Sequence, residues 1–205
     1  MRVFDFDNTI YDGESGFHAF LYFLKKDVPG LLKIAPKFFQ RYIEYRKGTI
    51  SVADVFNEFG DFAKEYCSRI EDVYGEFEKF WDLHEDRVKK FYFDMQDEED
   101  IIVSACPMCL LQIICDRIGI KHIIGSDIDP IKGEINNICY SENKVVEFRK
   151  VYGDVMIDDF YTDSISDKPM MDISKNVFWV DGEKITQIKK DGIELASFPK
   201  NNLIL

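Results

Sequence analysis

The 205-residue chain is poor in several features that define large protein classes. Its five cysteines are an odd number, which argues against a closed disulfide framework and for a reducing compartment. No apolar run approaches the roughly 18 residues that a membrane-spanning helix needs. No secretory leader is recognisable at the start of the sequence. We therefore expect a cytoplasmic protein.

Basic residues are also scarce, with 26 Lys and Arg against 38 Asp and Glu, for a net charge of −12. Nucleic-acid binding depends on cations that neutralise phosphates, so we expect no nucleic-acid partner. Residues 17–47 are an exception, with seven basic and two acidic residues among many Phe and Leu. This stretch is typical of an amphipathic helix that packs in a core, and also of one that lies on an anionic membrane surface. Peripheral membrane contact through residues 17–47 therefore stays open.

The apolar pattern changes twice along the chain. Residues 2–6 predict a short buried strand, and the spacing of apolar residues from about 17 to 91 predicts helices. From residue 101 onward, short β-branched runs alternate with helical patterns, as in a parallel sheet with helices on both faces. We predict an α/β fold with a Rossmann-like parallel-sheet core formed by residues 1–12 and 96–205. An α-helical cap domain of residues 13–95 would be inserted into it.

Polar residues stand where the predicted strands end, and the carboxyl ends of parallel strands form the usual site edge of such sheets. These residues are Asp5, Asp7, Ser104, Asp163 and Asp167, with Lys144 at the start of the preceding helix. Carboxylates brought together repel one another unless a cation lies between them. A hard cation with oxygen ligands, most naturally Mg²⁺, satisfies this requirement, and Mg²⁺ commonly also binds a substrate phosphate.

These residue types suit phosphoryl chemistry. An Asp carboxylate can attack phosphorus and form an aspartyl-phosphate. A second acid two residues further on, as Asp7 is to Asp5, can protonate the leaving oxygen and later deprotonate water. Ser104 and Lys144 can donate to the non-bridging phosphoryl oxygens.

Four segments carry a resemblance to a known superfamily. "DFDNT", "IIVSA", "SENKVVEF" and "YTDSISDKPMM" resemble, in order, the four motifs of the haloacid dehalogenase-like (HAD) phosphohydrolases. The similarity covers the core from residue 1 to about residue 182. The position of the helical insert is similar to that of the phosphoserine phosphatase-like branch, which has helical caps.

The resemblance implies a role for each matching residue. Asp5 would be the nucleophile and a metal ligand, and Asp7 the general acid and base, with its carbonyl on the metal. Thr9 would hold the loop of the first motif. Asp163 would be a metal ligand, and Asp167 would support the metal site or Lys144. Ser104 and Lys144 would bind the phosphoryl group.

Two of these assignments have competitors in the sequence, and one further motif has another explanation. Lys150 could replace Lys144, and Asp158 or Asp159 could be the acid at the strand end instead of Asp163. Cys106 and Cys109 form a C-x-x-C motif, but a single pair supplies only half of a four-coordinate zinc site. We interpret them as two small apolar residues at a helix start.

The resemblance also bears on the substrate. Glu14 matches the glutamate that binds the substrate amine in phosphoserine phosphatases. The cap arginine that binds the substrate carboxylate there has no counterpart in "VADVFNEFG", unless Arg46 or Arg69 replaces it. We therefore predict a Mg²⁺-dependent phosphomonoester hydrolase acting on a small phosphorylated metabolite. Phosphotransfer to an alcohol, a lipid-phosphate phosphatase at a membrane surface, and a non-enzymatic binding module are the alternatives, and the oligomeric state is left open.

Overall fold

The computed structural model describes residues 1–195, which form a single mixed sheet flanked by helices. The strands are β1 Arg2–Phe4, β2 Ile101–Pro107, β3 His122–Asp129, β4 Glu134–Asn137, β5 Ile157–Thr162, β6 Ser174–Asp181, β7 Lys184–Lys190 and β8 Ile193–Glu194. Their order across the sheet is β4-β3-β2-β1-β5-β6-β7-β8. Five neighbouring strands, β3, β2, β1, β5 and β6, are parallel. The predicted parallel-sheet α/β fold is therefore confirmed.

The helices fall into two groups. Between β1 and β2 lie α1 Ser15–Lys26, α2 Val28–Leu31, α3 Ala35–Arg46, α4 Val52–Cys67, α5 Val73–Asp82 and α6 Lys90–Met95. After β2 come α7 Met108–Arg117, α8 Glu142–Tyr152 and α9 Lys168–Asp172. The helical insert predicted from the apolar spacing is therefore present, and we call residues 15–95 the helical insert. No helix within residues 1–195 is both long and apolar enough to cross a bilayer.

The sheet carries apolar residues on both faces because side chains alternate along each strand. Val3 and Phe4 are both fully buried, but they belong to different hydrophobic clusters. In the same way Ile102 packs in one cluster, and its neighbours Ile101 and Val103 pack in the other. The continuous apolar runs of β1 and β2 thus reflect strands that are covered on both sides.

Part of the helical insert packs on the sheet itself. Tyr22 of α1 and Phe77 and Trp81 of α5 share one hydrophobic cluster with Phe4 and Phe6. Trp81 is fully buried, and its indole N–H donates to the carbonyl of Leu110 at 2.8 Å. The insert is therefore anchored by its first and fifth helices. The predicted division into a core and a separate cap of residues 13–95 stays a prediction.

The sheet edges differ from the expectation. Strands β4, β7 and β8 are antiparallel additions that the sequence pattern did not predict. In β7, Ile185 packs against one hydrophobic cluster and Ile188 lies in the other, so this strand has apolar contacts on both faces of the sheet. Strand β2 also continues beyond Ser104 to Pro107, with a register shift against β3 after Val103. Ser104 therefore lies within the strand rather than at its end.

We expect Trp81→Ala to destabilise the whole molecule, because it removes a fully buried ring and an indole hydrogen bond from the cluster shared by sheet and insert. The free energy of unfolding should fall by about 3–5 kcal/mol in urea denaturation. Leu83→Ala is the matched control, since Leu83 is 67% exposed just beyond the same helix. A change below about 1 kcal/mol for Trp81→Ala would show that the insert does not depend on this contact.

Candidate active site

The site lies where β1 ends, in the middle of the parallel sheet. Asp5 directly follows β1, and its backbone N–H donates to the carbonyl of Tyr161 in β5 at 2.9 Å. Strand β1 is paired with β2 on one side and with β5 on the other. Segments that are far apart in sequence therefore meet at the Asp5 carboxylate, as the strand order of an open parallel sheet requires.

Lys144 joins two of these segments. Its Nζ lies 2.7 Å from Asp5 Oδ1 and 2.7 Å from Asp167 Oδ1, and all three side chains are buried. Thr162 Oγ1 donates to Asp167 Oδ2 at 2.7 Å, which orients the Asp167 carboxylate. The start of α8 thus places an ammonium group between the carboxylates that follow β1 and β5.

Thr9 connects the first segment to Asp163. Its Oγ1 accepts the Asp163 backbone N–H at 3.0 Å. The same hydroxyl lies 3.4 Å from Asp5 Oδ2 and 3.4 Å from Asp163 Oδ1, and it has one proton to donate to either. Thr9 is fully buried, and its hydroxyl lies within reach of both carboxylates.

The pKa directions at the site follow from burial and crowding of like charges. Burial, joined by the Asp167 charge, raises the pKa of Asp5 to about 6 despite the lowering effect of Lys144. Burial and the Asp5 charge raise the pKa of Asp163 well above its ordinary value. For Lys144, burial opposes the charged form, but the carboxylates of Asp167 and Asp5 outweigh it and raise the pKa. The site holds more carboxylate charge than its buried lysine neutralises.

This charge and donor set fit a magnesium ion. Within residues 1–195 no three His, Cys, Asp or Glu side chains are grouped to hold a metal. Mg²⁺ does not need such a cage, because it commonly binds one or two carboxylates and keeps waters or substrate oxygens as its other ligands. Asp5 and Asp163, each with an oxygen 3.4 Å from the Thr9 hydroxyl, are the two carboxylates that would hold it.

Asp7 and Ser104 line the same cavity as Asp5, and each makes its own hydrogen bonds. The Asp7 carboxylate accepts the backbone N–H of Ser15 at 2.8 Å, at the first residue of α1. Burial and the nearby Glu14 raise the pKa of Asp7 well above its ordinary value. Ser104 is buried, and its Oγ accepts the backbone N–H of Cys106 at 3.1 Å. Within residues 1–195 the Ser104 hydroxyl proton has no acceptor, so it is free to donate to a bound oxygen.

Glu14 is close to the site but already paired. One of its oxygens accepts from the Asn8 side chain at 2.7 Å and from Arg46 at 2.8 Å. Arg46 therefore reaches the site from the end of α3, whereas Arg69 pairs with Glu65 on the exposed surface of the insert. Of the two candidate arginines, the structure brings only Arg46 to the Glu14 side of the site.

The structure also separates the competing residues. Lys150 is exposed and pairs with Glu147 on α8. Asp158 lies at the opposite end of β5 from Asp163, where it pairs with the chain amino terminus and Lys175. Asp159 accepts from Asn176. None of these three residues contacts Asp5.

Sequence reasoning missed two residues that shape the loop after Asp5. Asn8 has φ 58°, a left-handed conformation that Asn tolerates better than most residues. Lys89 is buried, and its ammonium donates to the Asn8 carbonyl. The backbone of Lys89 also donates to Ile10 at 2.8 Å, so the returning end of the insert holds this loop. Lys89 is distant in sequence and belongs to no motif, so no pattern could have identified it.

The C-x-x-C motif carries no reactive thiolate. Cys106 and Cys109 are not joined in a disulfide. Burial raises the pKa of Cys106 well above its ordinary value and that of Cys109 to about 12, so both remain thiols at neutral pH. Cys106 instead accepts a hydrogen bond from the Ser15 hydroxyl at 3.3 Å, which joins β2 to the start of α1. Only Cys109 lies at a helix start, in the first turn of α7, because Cys106 belongs to β2, which extends to Pro107.

Comparison with solved structures shows a shared fold. A protein of unknown function from Bordetella pertussis Tohama I matches with a TM-score of 0.61 at 18% identity, covering 83% of this chain and 85% of that one. A phosphoserine phosphohydrolase-like protein from Francisella tularensis subsp. tularensis SCHU S4 matches with a TM-score of 0.57 at 16% identity, covering 86% and 84%. A HAD family hydrolase from Salmonella enterica subsp. enterica serovar Typhi matches with a TM-score of 0.55 at 12% identity, covering 84% and 59%. Identities this low show the fold alone.

The sequence itself matches a family model. No curated protein is similar enough to match the chain. The model of the haloacid dehalogenase-like hydrolases, however, matches residues 3–172, which include all four of the motif segments. The resemblance drawn from those segments is confirmed, and this chain belongs to the haloacid dehalogenase-like hydrolase family.

Proposed function

We propose that this protein is a Mg²⁺-dependent phosphomonoesterase that works through an aspartyl-phosphate on Asp5. The observation that carries the proposal is the convergence of three segments on one carboxylate. Lys144 lies 2.7 Å from Asp5, and Thr9 lies 3.4 Å from both Asp5 and Asp163. The family match over residues 3–172 supports hydrolase chemistry on this arrangement.

In the first step, an Asp5 oxygen would attack phosphorus while the bond from phosphorus to the ester oxygen breaks. Asp7 would give its proton to the departing alkoxide, so the alcohol leaves neutral. In the second step, Asp7 would take a proton from water, whose oxygen attacks phosphorus and releases phosphate and the Asp5 carboxylate. A bound Mg²⁺ would neutralise phosphoryl charge between Asp5 and Asp163.

Lys144 and Ser104 would bind the transferring phosphoryl group. Lys144 supplies a buried positive charge beside the nucleophile, and Ser104 has a hydroxyl proton without an acceptor in residues 1–195. Donors placed where negative charge develops stabilise the transition state more than the ground state. Asp167 would keep Lys144 charged and in place through their 2.7 Å ion pair.

We also propose that the helical insert acts as the cap predicted from the sequence. Its helices line one side of a cavity of about 1290 Å³ whose other side holds Asp5, Asp7 and Asp163. A cap at this position would exclude bulk water while a single ordered water remains for the second step. The Arg46–Glu14 ion pair, 2.8 Å long, links the end of α3 to the loop before α1.

The alternatives from the sequence remain alternatives. Transfer to an alcohol would use the same residues, with the alcohol in place of water, and product analysis with added alcohols separates it from hydrolysis. Membrane contact through residues 17–47 also stays a prediction. Phe20 and Phe38 stack at 3.8 Å and pack within the insert, whereas Val28 and Leu32 are 48% and 59% exposed.

Asp5→Asn should reduce phosphate release from p-nitrophenyl phosphate to background, because an amide is a poor nucleophile. The measurement is initial rate at saturating Mg²⁺, with folding checked by circular dichroism. Asp94→Asn is the control, since Asp94 is an exposed acid on α6 paired with Lys90. Wild-type turnover by a folded Asp5→Asn protein would contradict the assignment of the nucleophile.

Removal of divalent ions with EDTA should abolish turnover, and Mg²⁺ should restore it. Asp163→Asn should raise the Mg²⁺ concentration for half-maximal activity by about 10–100-fold, because it removes one of two ligand carboxylates. Asp158→Asn changes the competing acid, which is 46% exposed, and should leave the Mg²⁺ dependence unchanged. If Asp158→Asn raised the required Mg²⁺ concentration and Asp163→Asn did not, the metal site would lie at the other end of β5.

Lys144→Met should lower kcat by about 10²–10³-fold through loss of a donor to the phosphoryl group. It should also lower the free energy of unfolding by about 3–5 kcal/mol, because two buried carboxylates lose their partner. Lys150→Met, on the exposed face of the same helix, should change neither quantity. Equal effects of the two substitutions on kcat would refute the role of Lys144.

A further inference from the structure

The cavity over Asp5 is large and its outer wall is aromatic. At about 1290 Å³ it exceeds the roughly 300–1,000 Å³ typical of small-molecule sites. The wall contributed by the insert contains five rings, from Phe17, Phe38, Tyr42, Tyr45 and Phe56. Compact esters such as phosphoserine would leave most of this wall without contact.

Three of the rings form a preassembled surface. Phe17 stacks on Tyr42 with ring centroids 3.8 Å apart and planes at 10°. It also lies parallel to Phe38 at 6.2 Å. Tyr45 and Phe56 differ, because neither ring contacts another aromatic ring within the described part of the chain, residues 1–195. Both residues are half-buried and line the cavity, so their rings can contact a molecule bound there.

Several polar side chains of the same wall are already hydrogen-bonded within the protein. Arg46 pairs with Glu14 at 2.8 Å, and the Thr49 hydroxyl donates to a backbone carbonyl at 2.9 Å. Ser51 and Asp54 satisfy each other in the capping box at the start of α4. Lys47 is exposed at the rim of the cavity. For a substrate body, this wall therefore offers the hydroxyls of Tyr42 and Tyr45 and the rim ammonium of Lys47 as polar partners, beside the apolar faces of five rings.

We propose that the alcohol part of the substrate is an uncharged apolar body that extends from the phosphoryl position at Asp5 to Tyr45 and Phe56. This inference rests on the proposed phosphomonoesterase function and specifies its substrate class. The body can be an aromatic ring system or an alkyl chain, since both bury apolar area against the rings. The compact amino-acid phosphate suggested by Glu14 is disfavoured, because Glu14 is engaged by Asn8 and Arg46.

The test compares primary alkyl phosphates, whose leaving groups are similar in basicity. We expect kcat/KM to be at least about tenfold higher for 3-phenylpropyl phosphate and octyl phosphate than for glycerol 3-phosphate and O-phosphoserine. Octyl phosphate is used below its micellar concentration. Of 3-phenylpropyl phosphate and octyl phosphate, the ester with the higher kcat/KM shows whether the apolar part of the natural substrate is a ring system or an alkyl chain. Equal values, or a preference for the compact polar esters, would overturn the inference.

The same assay tests the phosphomonoesterase function and the apolar substrate class separately. Should no ester release phosphate, including p-nitrophenyl phosphate with Mg²⁺, the phosphomonoesterase function itself fails. Hydrolysis with a preference for compact esters would leave that function standing and refute only the apolar substrate class.

Two substitutions test whether Phe56 and Tyr45 cause the preference for apolar esters. Phe56→Ala and Tyr45→Ala should each lower the ratio of kcat/KM for 3-phenylpropyl phosphate to that for glycerol 3-phosphate by at least about fivefold. Tyr74→Ala is the control, since this ring is 45% exposed on α5 and does not line the cavity. An unchanged ratio in the Phe56 and Tyr45 variants would overturn the assignment of these rings. If either variant fails to fold, the ester series on the unmodified protein still decides.

Discussion

The site depends on the two ion pairs made by the buried ammonium of Lys144. It lies 2.7 Å from both Asp5 and Asp167, in a region where all three groups have lost their water. Removing one partner of such a group leaves an uncompensated buried charge, which costs far more than an exposed ion pair contributes. The ion triad therefore fixes α8 against the ends of β1 and β5. It also orients the Asp5 carboxylate, the proposed nucleophile.

The triad does not include Asp163, although this carboxylate lies near Asp5. The Thr9 hydroxyl is 3.4 Å from an oxygen of each of the two carboxylates, and burial raises the pKa of both. A divalent cation there would relieve the repulsion between the Asp5 and Asp163 carboxylates and would help to bind a phosphoryl group. Structural stability and the proposed catalysis thus draw on the same set of charges, so substitutions at Lys144 should affect both.

The helical insert serves two purposes in this arrangement. Trp81 and Phe77 anchor it in the same cluster as Phe4, so it is packed firmly on the sheet. Farther from the sheet, the rings of Tyr45 and Phe56 face the cavity above Asp5. The part near the sheet contributes to stability, and the outer part would select the body of the substrate. Lys89 ties the C-terminal part of the insert to the loop after Asp5, because its ammonium donates to the Asn8 carbonyl.

The sequence by itself determined the parallel-sheet core, the helical insert and the acids of the four motifs, because apolar period and motif spacing are local properties of the chain. Only the tertiary structure decided between Lys144 and Lys150 and paired Arg46 with Glu14. It alone brought Lys89 to the loop after Asp5. These contacts join residues distant in sequence, and their partners depend on how the helices pack, which no local pattern encodes.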